Sequence, residues 1–199
     1  MMLAMSQPTY EPDVAAFLAP LADAGATTVA VMVSSVDGRA TVDDRVGELT
    51  GTADQEVLLW VRELASAVVV GGRTVQAEGY AGLLGEQAQA RRRARGVPAE
   101  PELVVFTRAS PALPQLWPEL HERHSSGLIV CEGGPTLLGM LVEHRLLDQL
   151  VLCISPRIVA GDTQRRLLEQ HDPPHGLELE LLALTNADGF LFVRYGARS

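Results

Sequence analysis

Five short apolar runs set the terms on which this chain can fold: Thr27–Val33, Ala67–Val70, Leu103–Phe106, Leu128–Cys131 and Leu150–Ile154. Each is short, rich in β-branched residues and bounded by polar or glycine-bearing segments, so each reads as a buried strand. Helical patterns lie between them. Val57, Val61 and Leu64 recur at spacings of four and three and give helix 52–65 one apolar face, behind a Thr52-Ala53-Asp54-Gln55 capping box. Pro135 opens helix 135–144, where its missing N–H costs nothing, and Leu137, Leu138, Leu141 and Val142 form the buried stripe. Strands alternating with helices in this way make a parallel sheet covered on both faces.

The remaining segments fill in around that sheet. Asp37-Gly38 makes a turn, and Arg39–Val42 reads as a short return strand. Residues 79–100 turn polar, glycine-rich and basic, as a mobile connection would. The proline-rich piece around Pro111, Pro114 and Pro118 reads as a surface crossing with one helical turn. At the end of the chain, Leu177–Leu184 and Phe190–Tyr195 flank an Asn186–Gly189 turn and supply antiparallel edge strands. Residues 1–26 read as an N-terminal arm and 27–199 as a single domain.

Composition narrows the function classes. The formal charge of −9 argues against a protein that tracks nucleic-acid phosphates. The one opposing patch, Arg91, Arg92, Arg93 and Arg95, has no interleaved aromatics and reads as a solvated face, with an anionic ligand as the alternative. No apolar run approaches the roughly 20 residues that span a bilayer, and no secretory signal is visible, so a cytoplasmic protein is expected. Cys131 and Cys153 each sit in an apolar run and should be buried and reduced; the histidines show no metal-binding spacing.

Open parallel sheets bind ligands beyond the carboxyl ends of their strands. Three turns fall at such ends: Val70-Gly71-Gly72-Arg73-Thr74, Phe106-Thr107-Arg108, and Cys131-Glu132-Gly133-Gly134-Pro135-Thr136. Glycine pairs let backbone N–H groups approach an anion, and a helix N-terminus behind them favours phosphate. A tight turn with no ligand reads equally well for either pair alone. Neither G-x-G-x-x-G nor a P-loop is present.

Taken with Ser34-Ser35-Val36-Asp37-Gly38-Arg39 and with Leu147-Asp148-Gln149-Leu150 through Ser155-Pro156-Arg157-Ile158-Val159 and Gly161, these motifs resemble the pyrimidine reductase domain of bacterial riboflavin biosynthesis. The resemblance runs from about Thr28 to Tyr195. It implies a dihydrofolate-reductase-like three-layer α/β fold with a central mixed, mostly parallel sheet and C-terminal antiparallel strands. It implies an NADPH-dependent reductase that transfers hydride directly to the ribosyl C1 of 5-amino-6-(5-phosphoribosylamino)uracil, without a metal. By the same resemblance Gly71, Gly72, Thr74, Gly133, Gly134 and Thr136 would hold the cofactor. Thr107 and Arg108 would meet its 2′-phosphate. Ser35, Asp37, Arg62 and Glu132 would lie near the phosphorylated small-molecule substrate, and a homodimer would form through the C-terminal sheet.

The residues themselves leave alternatives open. Arg108 can fork onto a 2′-phosphate or stand solvated. Asp37 can cap its own turn or accept from a uracil or sugar. Glu132 emerges at the ligand end of its strand, where a dry carboxylate needs a donor or water. Arg62 is a rim arginine or a substrate-phosphate ligand. Asp37 and Glu132 are the acid–base candidates. Two stretches depart from the family pattern: Gln76-Ala77-Glu78-Gly79-Tyr80 replaces an alanine-aspartate-aspartate-proline-like run, and Leu59-Trp60-Val61-Arg62 replaces histidine-arginine-x-arginine. A reductase of a pterin or another carbonyl or imine compound, and a non-catalytic nucleotide-binding homologue, are the alternative readings.

Overall fold

The computed structural model describes residues 9–10, 13–43, 45–80, 82–161, 165–169 and 176–198. In chain order, strand β1 (Thr9–Tyr10) is followed by helix α1 (Val14–Leu18), which runs into a 3₁₀ turn, Ala19–Asp23. Strand β2 (Thr28–Ser35), helix α2 (Thr52–Leu64), strand β3 (Ala65–Gly71), helix α3 (Gly72–Glu78) and helix α4 (Glu86–Ala94) come next. Then come β4 (Glu102–Phe106), α5 (Leu113–Arg123), β5 (Leu128–Gly133) and α6 (Pro135–Glu143). The chain closes with β6 (Gln149–Ser155), β7 (Leu179–Ala187) and β8 (Phe190–Ala197).

The strands form one sheet in the order β1-β7-β8-β6-β2-β5-β3-β4. β8 pairs antiparallel with both β6 and β7, and every other pairing is parallel. Two apolar clusters cover the two faces. On one face Phe17, Leu18 and Leu21 join Val57 and Val61 of α2 and Phe192 of β8; on the other, Leu113, Leu116, Trp117 and Leu120 of α5 join Leu137, Leu138 and Leu141 of α6. This is the three-layer arrangement expected from the alternation of strands and helices. Both cysteines are buried and free, and burial pushes the Cys131 thiol up to about 12.

Four local readings need correction. α2 is capped by Gly51 in an extended conformation with no side-chain hydrogen bond, so Thr52 is its first residue rather than a capping-box hydroxyl. Arg39–Val42 makes only isolated bridges, Arg39 with Arg166 and Val42 with Arg45. The proline-rich crossing is α5: Leu113, Leu116, Trp117 and Leu120 put one apolar stripe into the core, and Pro114 sits in the first turn. Exposed Pro118 inside the helix is tolerated because that buried stripe outweighs one lost backbone hydrogen bond.

The connection from Gly79 to Glu100 contains α4, which has no apolar face of its own. Arg92 holds it instead. Its guanidinium is buried and donates to the carbonyls of Glu63 (2.7 Å), Ala65 (2.6 Å) and Pro98 (2.8 Å). Arg91 pairs with Glu63 at 2.6 Å, and Arg95 donates to the Glu63 carbonyl. The basic run thus binds α4 to the carboxyl end of α2, where cations and donors match the exposed carbonyls.

The C-terminal hairpin turns through Asp188-Gly189, both at positive φ (52° and 82°). That is the two-residue geometry whose twist suits a hairpin. β1 lies parallel along the outer edge of β7, pairing Thr9 with Ala183 and Tyr10 with Leu184. Among the described residues, no helix is long and apolar enough to cross a membrane.

Candidate active site

A cleft of about 780 Å³ opens beside the carboxyl ends of the central strands. Met32 and Val33 of β2, Asp54, Leu58 and Arg62 of α2, Thr74 of α3, Tyr80, and Glu132, Gly134 and Pro135 at the end of β5 line it. Parallel strands direct these ends to one side, which explains why residues far apart in sequence converge there.

The centre of the cleft is an ion pair with a phenol on it. Arg62 donates from Nε to Glu132 Oε1 at 2.5 Å and from Nη2 to Oε2 at 2.6 Å, and the Tyr80 hydroxyl donates to Oε2 at 2.8 Å. The guanidinium also lies over the Tyr80 ring, 5.3 Å from its centroid. The Glu132 side chain is only 3% exposed, so the donor that a dry carboxylate requires is Arg62. Burial works against the Arg62 charge, and the Glu132 carboxylate more than offsets it, leaving the guanidinium harder to deprotonate than usual. Burial, and then Glu132, push the Tyr80 phenol well above its ordinary range. The spacing in α2 carried no sign of this pairing, because the partner comes from β5.

The two glycine turns meet each other. A Cβ on Gly71 would lie 3.5 Å from the Gly133 carbonyl, and the Gly134 N–H donates to Thr74 Oγ1 at 3.2 Å. Gly133 has a φ of +83°, and a Cβ there would come within 2.8 Å of Met32 Sδ, so only glycine fits. The Gly133–Gly134 peptide is cis. Gly134 caps α6, and the hydroxyl of Thr136 in its first turn is buried with no partner among the described residues. A Cβ on Gly72 would meet Thr107 Cγ2 at 3.1 Å, so the α3 turn and the turn after β4 also abut. Thr107 closes that turn with Ser110 and Ala109, and Arg108 stands exposed in it.

Ser35 and Asp37 are placed differently. Neither lines the cleft. Ser35 Oγ donates to Asp37 Oδ1 at 2.7 Å, and Asp37 accepts the backbone N–H groups of Val159 (3.0 Å) and Ala160 (2.9 Å). Ser35 and then the two N–H groups hold the Asp37 carboxyl well below the usual carboxylate range. The pair fastens the chain after β6 onto the turn after β2. Nearby, the Ala40 N–H donates to the Arg165 carbonyl, and Arg165 reaches the cleft wall.

The departures from the family pattern also separate in space. Gln76, Ala77, Gly79 and Tyr80 form cleft wall, whereas Leu59 and Trp60 point outward and are exposed. Asp54, which in the sequence belongs only to a capping-box pattern, also lines the cleft. Asp54 is 7% exposed, and its polar neighbour is the thiol of Cys153 on β6. In sequence it is one acidic residue in the first turn of a helix, which reads as a charge placed against the helix dipole. Among the described residues, no group of three or more acidic, histidine or cysteine side chains could hold a metal.

The family model of the RibD C-terminal domain matches residues 26–116 and 111–189. Among solved structures, a pyrimidine reductase-like protein from Corynebacterium diphtheriae is similar with a TM-score of 0.73 and 19% identity, over 87% of this chain and 92% of that one. The riboflavin biosynthesis reductase Rib7 of Saccharomyces gives 0.63 at 12% identity, over 94% and 100%. A dihydrofolate reductase from Enterococcus faecalis, solved with NADP(H), gives 0.54 at 13% identity, over 88% and 98%. No curated protein matches.

Proposed function

This chain belongs to the RibD C-terminal domain family, and from that premise we propose that it is a cytoplasmic NADPH-dependent reductase of 5-amino-6-(5-phosphoribosylamino)uracil. The observation that carries the reading is the cleft itself. It brings the two glycine turns and the Arg62–Glu132–Tyr80 cluster to one side of the sheet.

The residues present fit a nicotinamide dinucleotide. Gly71, Gly72 and Gly134 keep side chains out of the way where the turns abut, and Thr74 bridges them. The partnerless Thr136 hydroxyl at the start of α6 matches a phosphate oxygen there, at the positive end of a helix. Thr107 and Arg108, in the turn beyond β4, suit a 2′-phosphate. When bound, the nicotinamide supplies hydride to the ribosyl C1.

The chain's own residues do the rest. Glu132, held in place by Arg62 and Tyr80, accepts from the donor groups of the aminopyrimidine. Arg62 orients Glu132 through its two-pronged contact. Ser35 and Asp37 act through the chain they fasten at Val159 and Ala160. A homodimer forms over the face of the C-terminal strands, where Leu152, Leu184, Leu191 and Tyr195 are left incompletely covered. Phe192 points the other way, into the chain's own core.

The test is NADPH oxidation with the phosphoribosylaminouracil, with the ribitylamino product identified by mass spectrometry. Turnover to that product supports the reading; oxidation only with a dihydropterin or another carbonyl compound would replace the substrate. Arg108→Ala should weaken NADPH binding by about 1.5–3 kcal/mol and leave NADH unchanged, as expected for one charge-assisted contact. Equal losses for both cofactors would remove Arg108 from the 2′-phosphate.

A further inference from the structure

The cleft contains a carboxyl group that the reading above does not use. Asp54 lines the cleft from the first turn of α2, is more than nine-tenths buried, and makes no ion pair among the described residues. Of the three arginines that line the cleft, Arg73 makes no ion pair with it among the described residues, and the other two are committed elsewhere. Arg62 is held by Glu132, and Arg165 by Glu169 at 2.6 Å. The groups that share the cleft or pack against Asp54 are Arg62, Arg73, Tyr80, Glu132, Arg165 and, from β6 behind it, Cys153. Of these only the thiol faces the carboxyl as a donor, and a thiol is a weak donor. Burial raises the Asp54 pKa, and Cys153 lowers it by less. The two acid–base candidates of the sequence are unsuited to giving up a proton: Asp37 is locked as an acceptor outside the cleft, and Glu132 is an acceptor for Arg62 and Tyr80.

We propose that Asp54 is the proton donor of the reduction, delivering its proton to the ring oxygen of the substrate's ribosyl group. The inference rests on the proposed substrate. As the bond between C1 and the ring oxygen breaks, that oxygen takes the Asp54 proton and becomes a hydroxyl, while the amine lone pair forms the C1=N⁺ bond. Hydride from the nicotinamide brings the two electrons to C1, and the amine nitrogen recovers its lone pair. The net change is one substrate, one NADPH and one proton to the ribitylamine and NADP⁺. Asp54, left as a carboxylate, is reprotonated from solvent through the open cleft.

The experiment measures kcat and KM against pH for the wild type and for Asp54→Asn, Cys153→Ala and Cys153→Ser. Asp54→Asn should lose roughly 10²–10⁴-fold in kcat, the usual worth of a positioned acid, with NADPH affinity and circular dichroism unchanged. Wild-type kcat should fall on the alkaline side as Asp54 ionises. Cys153→Ala, which removes the donor to the carboxylate, should move that limb to higher pH; Cys153→Ser, a stronger donor, should move it lower. An Asp54→Asn enzyme within about threefold of wild type, or a limb indifferent to Cys153, overturns the proposal. A wild type with no turnover on this substrate removes the proposed function instead. The carboxyl titration of Asp54, followed by ¹³C NMR without substrate, decides its protonation separately: ionisation in the ordinary range near about 3.9 overturns the donor role.

Discussion

At position 132 a carboxylate has been taken out of water and given a guanidinium fork and a phenol in exchange. The attraction between two buried charges is largely spent on their desolvation, so the pair adds little net stability, but removing one partner strands the other. Glu132→Gln should therefore cost about 3–5 kcal/mol in urea unfolding, while Arg62→Met with Glu132→Leu recovers most of that loss and still abolishes activity. Such a double-mutant cycle separates what the pair does for folding from what it does for substrate. Asp37 gives a second residue-scale prediction, with a definite sign. Its folded pKa is depressed, so its contribution is present above the unfolded carboxylate value of about 4 and is lost as pH falls below it. Thermal melts should show the wild type losing more stability than Asp37→Asn on acidification, and parallel curves would remove Asp37 as the fastening of the segment after β6.

Elements in this chain are held in two ways. α2, α5 and α6 bury apolar stripes, and their stability follows from area removed from water. α4 buries one arginine. Arg92→Ala should leave the Ala65 carbonyl and its neighbours short of donors and cost about 2–4 kcal/mol, in line with charge-assisted hydrogen bonds lost from a buried site. Lysine at 92 should restore only part of it, since one ammonium cannot match the guanidinium's fork onto three carbonyls. NADPH affinity should not change in either variant. A loss of binding without a loss of stability would return the basic run to its alternative reading as an anion site.

At the scale of the whole molecule, the sheet has two edges and manages them differently. β7 is covered by β1, whereas β4 is open, with Leu103 and Val105 exposed at 39% and 38%. β1 pairs with β7 at Ala183 and Leu184, and the proposed dimer uses the face of the C-terminal strands rather than that edge. Sedimentation should show a dimer for the full chain and a monomer for Leu191→Glu. Removing residues 1–12 should uncover the β7 edge and drive association beyond the dimer. Removing residues 1–26 goes further: it takes away Phe17, Leu18 and Leu21, all buried, and we propose that this truncation fails to fold cooperatively. A cooperative urea transition in the longer deletion would instead support the arm as a separate unit.

The strand and helix alternation, the parallel sheet, the C-terminal hairpin and the glycine turns at the strand ends could all be read in the sequence. They rest on local properties: runs of β-branched residues, a period of three and four, and turns that demand glycine or tolerate positive φ. α4 and α5 could not be read, because one lacks an apolar face and the other carries prolines that argue against a helix until the core is seen to need its stripe. The site divided along the same line. Its glycines were visible as a pattern, but the partners of its charged residues were not: Arg62 meets Glu132 across 70 positions, and Asp37 meets Val159 across 122. A carboxylate's role depends on whether its neighbour is a guanidinium, a row of backbone N–H groups or a thiol. Sheet order and helix packing choose that neighbour, and they made Glu132 an ion-paired acceptor, Asp37 a fastening and Asp54 a buried acid.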